Sequence, residues 1–225
     1  MRFPLRISLR ISLVRRREIL WPTGPGWLVL TGLLAATLLV ALRFLYPFLA
    51  VTEPVGARIA VVEGWLDPRE LDAAIVQIRR RGYGVVVTTG GPLHAWPDSR
   101  PDSTFAHRAA AYLKRRGIAP VVAVPSPITR DYRTYKSAVL VREWASSNGV
   151  EVRSLDVFSR GPHARRSRLL YREAFGNDIP VGVVALAPEG YDQARWWRST
   201  AGAREVFEQA TGFIWTALFF RPPAM

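Results

Sequence analysis

The residues best suited to chemistry are grouped in the segment 159–168, which reads Ser-Arg-Gly-Pro-His-Ala-Arg-Arg-Ser-Arg. A histidine can take or give a proton near neutral pH, and the free amide groups at a helix start attract anions. His163 and Arg166 are three positions apart, so their side chains share one face of the predicted helix. The spacing favours a site for a phosphate or carboxylate group. The alternative is that His163 only caps its helix and satisfies a buried polar contact.

Other candidates stand where the first two predicted strands end. Glu63 closes the first strand and is a candidate general base or metal ligand, with Gly64 next to it. Thr89, Gly90 and Gly91 close the second strand. The two glycines allow the backbone to approach a ligand and to direct amide donors at an anion, or they form only a tight turn.

The third and fourth strands lead to further polar groups. Arg133 and Thr134 begin a predicted helix, where they can hold an anion with a guanidinium fork and a hydroxyl, or serve only the helix start. Ser159 follows the fourth strand. Because ligands bind beyond the carboxyl ends of parallel strands, we expect all of these side chains to meet in one pocket.

No resident metal or cofactor is indicated. The sequence has no cysteine, which excludes disulfides, thiolate metal sites and a thiol nucleophile. His94, His107 and His163 have no metal-type spacing, so we predict no metal site. A Walker sequence and a complete dinucleotide fingerprint are also absent, and the cofactor, if any, is not identified.

Compact β-branched runs alternate with amphipathic stretches, which is the pattern of βαβ units around a parallel sheet. The fold class predicted is α/β, a Rossmann-like three-layer αβα domain with a mostly parallel five-stranded sheet. The strands are expected at 58–62, 84–89, 121–124, 152–158 and 181–185, and the helices at 68–81, 103–116, 132–147, 162–175 and 199–220. Trp196 and Trp197 could wall the pocket or close an edge of the core.

The N-terminal part predicts a membrane anchor. No charge interrupts the run 20–42, which is long enough to cross a bilayer, and six arginines against one glutamate precede it. We predict a basic cytoplasmic tail at 1–20, a transmembrane helix at 21–46, a connector at 47–57 and the α/β domain at 58–225, outside a bacterial inner membrane. A cleaved signal peptide and a buried core helix are the alternatives.

The net charge of +13 does not indicate a nucleic-acid partner, because the first twenty residues supply +5 of it, six arginines less one glutamate. The expected partners are the lipid bilayer and an anionic small molecule or lipid-linked phosphate. The apolar segment 211–220 is too short to span a membrane. It is expected to pack on the sheet, lie on the membrane or contact a protein partner.

Several segments resemble the YdcF-like family of bacterial envelope proteins, which includes SanA and ElyC. They are 61–66, 88–92, 133–138, 159–168 and 195–199, the histidine-arginine segment being the most specific. The resemblance implies a Rossmann-like domain behind one membrane anchor, with a role in envelope or peptidoglycan-precursor biology. By matching position it assigns Gly90, Gly91, Thr134, His163 and Arg166 to the pocket. The family's Thr-x-Glu-Asn pattern is Thr-Tyr-Lys-Ser at 134–137 here, without the acidic residue.

The function expected from these features is binding of a phosphorylated or anionic cell-envelope metabolite, with hydrolysis or group transfer as an open possibility. In an enzyme, His163 would act as acid or base, Gly90 and Gly91 would give backbone donors, and Arg133 and Arg166 would hold the charge. A non-catalytic envelope scaffold or sensor is one alternative. A nucleotide or S-adenosylmethionine binder is the other.

Overall fold

The computed structural model describes residues 21–93, 104–129 and 131–223, so the predicted basic tail and His94 lie outside the described residues. The chain divides into two compact units, one ending at Val40 and one beginning at Ala41. The first contains most of helix α1, Gly24–Leu49. This helix is long and apolar enough to cross a membrane, with a mean hydropathy of 2.3 and no buried residue in its most apolar window. The apolar part of a signal sequence can have the same length and composition.

The end of α1 differs from the predicted boundary of the span. The helix begins three residues later than predicted and ends at Leu49, so that Pro47, assigned to the connector, lies inside it. A proline costs least near a helix end, where few backbone hydrogen bonds remain to be lost. Tyr46 and Leu49 are buried in the second unit, and their packing keeps this last turn helical.

The second unit confirms the predicted α/β class. Five parallel strands form one sheet in the order β3-β2-β1-β4-β5. The strands are β1 Ile59–Glu63, β2 Val85–Gly90, β3 Val121–Pro125, β4 Leu155–Arg160 and β5 Val181–Leu186. The helices are α2 Pro68–Arg81, α3 Phe105–Arg115, α4 Arg133–Ser147, α5 Ala164–Phe175 and α6 Thr200–Phe219, with 3₁₀ segments at Gly161–His163 and Gln193–Arg198.

The sheet is covered on both faces because alternate residues of each strand point to opposite sides. In β1, Val61 packs into the cluster that contains residues of α4 and α5, whereas Val62 packs into the cluster that contains residues of α2 and α3. Parallel strands buried on both faces need continuous apolar runs, which is why short β-branched runs located them in the sequence.

One predicted boundary near the site is wrong. Strand β4 was expected over 152–158, but it begins at Leu155 and continues to Arg160. Ser159 therefore lies inside a strand rather than in the loop after it. Of the two alternatives for Trp196, the structure shows the core edge: Trp196 is completely buried, and its Nε1 donates to the carbonyl of Leu42 at 3.1 Å.

Candidate functional site

A cavity of about 630 Å³ lies at the carboxyl ends of β1, β2 and β3. Strand order reverses between β1 and β4, so this is where an open parallel sheet forms a crevice for ligands. The starts of α4 and α5 and one face of α6 complete the wall. Most of the predicted residues line it, namely Glu63, Thr89, Gly90, Gly91, Arg133, Thr134, His163 and Arg166.

Glu63 is a buried carboxylate at the floor of the cavity, with only 3 % of its surface exposed. Ser159 Oγ donates to its Oε2 at 2.7 Å, and Ser167 Oγ donates to its Oε1 at 2.8 Å. Both serines are themselves completely buried. Because β1 and β4 are neighbours, and α5 starts just after β4, two hydroxyls reach one carboxylate from two elements. They fix its orientation and stabilise its charge.

His163 stands above this carboxylate, in the short 3₁₀ segment between β4 and α5. Its Nδ1 is 2.7 Å from Gln209 Oε1, an atom that only accepts, so with this amide orientation Nδ1 carries the proton. Its Nε2 is 3.5 Å from Thr134 Oγ1 and 3.8 Å from Glu63 Oε1. With the proton on Nδ1, Nε2 is the acceptor of the ring, and it faces the Thr134 hydroxyl at the cavity.

Positive charge reaches the cavity from Arg133, at the start of α4, and from Arg166, in the first turn of α5. Burial lowers the pKa of Arg166, while the nearby charges of Glu208 and Glu63 oppose that change. A guanidinium remains protonated in proteins all the same. Arg166 Nε donates to Thr216 Oγ1 at 3.2 Å, a contact that holds the guanidinium group beside α6 in the cavity wall.

The turn Thr89-Gly90-Gly91 lines the cavity, and its conformation is determined by packing against neighbouring backbone. The carbonyl groups of Thr89, Gly90 and Gly91 accept hydrogen bonds from the amides of Gly64, Ser126 and Phe105, respectively. Gly90 has a φ of +136°, and a Cβ there would lie 2.7 Å from the Cβ of Phe105. The conformation and the close approach of α3 therefore account for the glycine.

Two of the residues predicted to bind a ligand, Gly64 and Ser159, are not among the cavity-lining residues. The Gly64 amide donates to the carbonyl of Thr89 at 2.7 Å, and a Cβ at this position would lie 2.4 Å from two backbone carbonyl oxygens. Gly64 thus allows the end of β1 to pack against its neighbours. Ser159 faces Glu63 and supports it from beneath.

Sequence reasoning missed several residues of the site. Ser167 had a usable signal, since it follows His163 by four positions in the predicted helix 162–175 and shares its face there. Glu208, Gln209 and Thr216 belong to α6, more than forty residues further along the chain, and no local pattern relates them to His163. They reach the cavity only because α6 packs beside α5.

No group of three or more potential metal ligands is found in residues 21–93, 104–129 and 131–223. His107 is used locally: its Nδ1 lies 2.8 Å from the hydroxyl of Thr104, the N-cap of α3. The described site therefore offers acid-base groups and cations rather than a ligand cluster. Groups of these two kinds are suited to anion binding and to proton transfer.

The half-buried carboxyl group of Glu205, on α6, gives a first testable prediction. Burial raises the pKa of Glu205, and the charge of Arg160 opposes that rise. A carboxyl that binds its proton more tightly in the folded state loses stability as pH rises through and above the ordinary glutamate range. Glu205→Gln should therefore have a higher melting temperature than the wild type at about pH 8, and the difference should vanish near pH 4.

The exposed Glu173, on α5, is the matched control, and Glu173→Gln should leave the melting temperature unchanged at both pH values. An equal gain for the two variants would show that a general reduction of negative charge, rather than the burial of Glu205, is responsible.

Comparison with known proteins adds no assignment to this geometry: no protein-family model matches the chain, and no curated protein is significantly similar to it in sequence.

Proposed function

We propose that this protein is a membrane-anchored binder of a phosphorylated or otherwise anionic cell-envelope metabolite. The observation that carries the proposal is the convergence of Arg133, Arg166 and His163 on one cavity at the reversal point of a parallel sheet. Guanidinium groups recognise phosphate oxygens with paired hydrogen bonds, and sites at this point of the fold commonly hold phosphorylated ligands. The cavity volume suits a small molecule or the head group of a larger one.

The carboxylates in the same cavity restrict where a phosphate group can bind. Glu63 and Glu208 would repel a fully ionised group placed against them, so the phosphate belongs beside the two arginines. His163 then lies between the phosphate and Glu63, where Nε2 can accept a proton from a water or a substrate hydroxyl. In a hydrolase or transferase acting on a phosphorylated precursor, Glu63 would stabilise the resulting imidazolium.

A retained anchor is supported by the way α1 ends. Tyr46 and Leu49 are buried in the α/β unit, and the carbonyl of Leu42 accepts a hydrogen bond from Trp196. Cleavage within this helical and partly buried segment would remove part of the domain core, which favours a membrane span over a signal peptide. The arginine-rich N-terminus supports a cytoplasmic tail with the domain outside the inner membrane. The resemblance of 159–168 to YdcF-like envelope proteins agrees with that placement.

The proposal is tested by ligand titration of the full chain in detergent micelles. The probes are inorganic phosphate, a short-chain polyprenyl phosphate, a nucleotide sugar and S-adenosylmethionine, and binding is measured by calorimetry and by thermal shift. Arg166→Gln should weaken the binding of a phosphorylated probe roughly 10- to 100-fold, because it removes a charge-assisted contact inside the cavity.

Arg172→Gln is the matched control, since it removes an exposed arginine from the same helix and should leave the affinity unchanged. The absence of binding by every phosphorylated probe would overturn the proposal. If S-adenosylmethionine binds the wild type and Arg166→Gln with the same affinity, the result would instead support the cofactor-binding alternative. A phosphorylated probe that binds without turnover, in the wild type and in His163→Gln alike, would favour a sensor over an enzyme.

A further inference from the structure

Helix α6 exposes an apolar stripe that consists of Phe207, Thr211, Ile214 and Leu218. These positions are four, three and four residues apart, so they lie along one face of the helix. Phe207 and Ile214 are each 53 % exposed and Leu218 is 60 % exposed. Large apolar side chains that are exposed in a continuous row, rather than singly, mark a surface that is covered by something else.

The one polar residue of the apolar stripe does not need water. Thr211 Oγ1 lies 2.9 Å from the carbonyl oxygen of Phe207 and 2.9 Å from that of Glu208, so its hydroxyl is satisfied within the helix. A threonine bonded in this way can enter an apolar environment at little cost. The apolar stripe is therefore compatible with a hydrocarbon surrounding along its whole length.

Two other faces of α6 pack against this chain. Val206 and Ala210 pack into the cluster that contains Tyr46 and Leu49. Gly212 lies against Arg166 on the cavity side, where a Cβ would come within 2.8 Å of Nη1. The apolar stripe is turned away from both contacts, and Trp215 and Phe219 beside it are exposed as well.

The neighbourhood of the apolar stripe identifies what covers it. Phe213, adjacent to Ile214, packs edge-on against Phe48 with ring centroids 5.5 Å apart, and Phe48 lies in the last turn of the candidate span α1. Phe44 and Phe48 are exposed as well. The apolar stripe thus continues the apolar surface at the point where the chain would leave the membrane.

Arginines flank the apolar stripe at position 204, in α6, and at position 221, just beyond the helix end. No acidic residue belongs to the apolar stripe, and the exposed Glu208 lies beside it on the face of α6 that lines the cavity. Helices with an apolar face and flanking cations lie in the plane of the head groups, with the apolar side turned to the acyl chains.

We propose that the apolar stripe of α6 lies in the interface of the lipid bilayer that α1 spans. The inference rests on the membrane anchor of the proposed function, but not on the identity of the ligand. It also narrows the ligand class: Trp215 and Gln209, on the neighbouring faces of α6, line the cavity. A cavity walled by a helix that touches the membrane suits an amphiphilic anion whose tail remains in the lipid.

The absence of cysteine from the sequence permits a direct test with single-cysteine variants. Leu218→Cys and Ile214→Cys are labelled with an environment-sensitive fluorophore in the full chain, reconstituted into vesicles of phosphatidylcholine and phosphatidylglycerol. Val76→Cys is the matched control, because Val76 is 54 % exposed on α2 in the same unit. We expect the labels on α6 to be quenched by brominated lipid and to be several-fold less sensitive to aqueous iodide than the control.

Two outcomes would overturn the proposal. Labels on α6 that are as accessible to iodide as the label at position 76 would show that the apolar stripe faces water. Labels that are protected from iodide yet insensitive to brominated lipid would show that a second copy of the chain covers it. Neither result depends on ligand binding, so failure here and failure of the phosphate titration are distinguishable. The second labelled position keeps the test decisive if one variant does not fold.

Discussion

Replacing Arg160 by methionine should lower the free energy of unfolding by about 3–5 kcal/mol, because it strands a buried carboxylate. Arg160 Nε lies 2.6 Å from Glu70 Oε1, and Nη2 lies 2.8 Å from Oε2, which is a bidentate pair. The Glu70 side chain has no exposed surface. Burial disfavours the charge of Arg160, but the hydrogen bonds and charges of Glu70 and Asp67 raise its pKa.

Two comparisons separate this effect from a general loss of surface charge. Arg69 pairs with Glu189 at the surface, where both side chains are exposed, so Arg69→Met should cost less than about 1 kcal/mol. Adding Glu70→Gln to Arg160→Met neutralises the stranded carboxylate while it keeps an acceptor for the Asp67 amide. This second change should recover part of the stability, as measured by urea denaturation.

The pH dependence of the stability of Arg160→Met tests independently whether the variant leaves the Glu70 carboxylate charged and unpaired. In Arg160→Met, protonation of the unpaired carboxylate removes the cost of burying its charge. The difference in the free energy of unfolding between the variant and the wild type should therefore become smaller as pH falls. A deficit that is constant with pH, together with no recovery from Glu70→Gln, would show that lost packing dominates instead. The packing at issue is that of Trp65, whose ring lies 5.1 Å from the Arg160 guanidinium carbon.

The same arginine connects stability with the candidate site. Trp65 lies between Arg160 and His163, with its ring centroid 5.6 Å from that of the imidazole in an edge-on arrangement. Trp65 also lines the cavity. The network of Arg160, Glu70 and Asp67 therefore holds the wall against which His163 is oriented, and its loss should reduce ligand affinity in addition to stability.

The fold could be predicted from the sequence because its signals are local. Short β-branched runs are required by parallel strands buried on both faces, and all five were found within a few residues of their positions. Helix α2 was located to the residue, because Asp67 precedes it as the N-cap and Pro68 occupies its first position. The structure adds that Gly82 ends the helix in the left-handed conformation.

The end of α1 shows what local patterns do not contain. Pro47 predicts a helix end, and the helix nevertheless continues to Leu49. The stabilising partner is Trp196, which is about 150 residues away and contacts the last turns through its ring and its Nε1. Tertiary packing of this kind determines where the helix ends in spite of the local signal. The residues near Pro47 in sequence contain no information about it.

The site was predictable to the extent that it is built from strand ends. His163 and Arg166 were found from their spacing, and Glu63 from its position at the end of β1. The role of Ser159 could not be assigned, because it depends on whether β4 ends before or after that residue. Gln209, which holds His163 Nδ1, comes from α6 and required the tertiary structure.

Gly64 is the residue whose predicted and observed roles differ most, and Gly64→Ala should cost about 3 kcal/mol or more in stability. A Cβ at this position would lie 2.4 Å from the carbonyl oxygens of Thr89 and Phe105, and 2.7 Å from the carbonyl carbon of Phe105. These atoms belong to the backbone of β2 and α3, which cannot rotate away as a side chain can. The end of β1 would have to move apart from them.

Gly84→Ala is the control for the general effect of replacing a glycine at a strand boundary. A Cβ at position 84 would meet its nearest neighbour, the carbonyl oxygen of Arg58, at 3.5 Å, which is an ordinary contact. Its melting temperature should stay close to that of the wild type, whereas that of Gly64→Ala should fall by roughly 6–12 °C for a unit of this size.

Ligand titration of the two variants distinguishes the structural role of Gly64 from direct ligand contact. If Gly64 acts through packing, Gly64→Ala should be destabilised without ligand, and any loss of affinity should follow the displacement of Glu63 and Thr89, its neighbours at the cavity. If Gly64→Ala is as stable as the wild type but binds no phosphorylated probe, Gly64 contacts the ligand directly. That outcome would also require the close approach of β1 to the start of α3 to relax without cost, which tightly packed backbones do not allow.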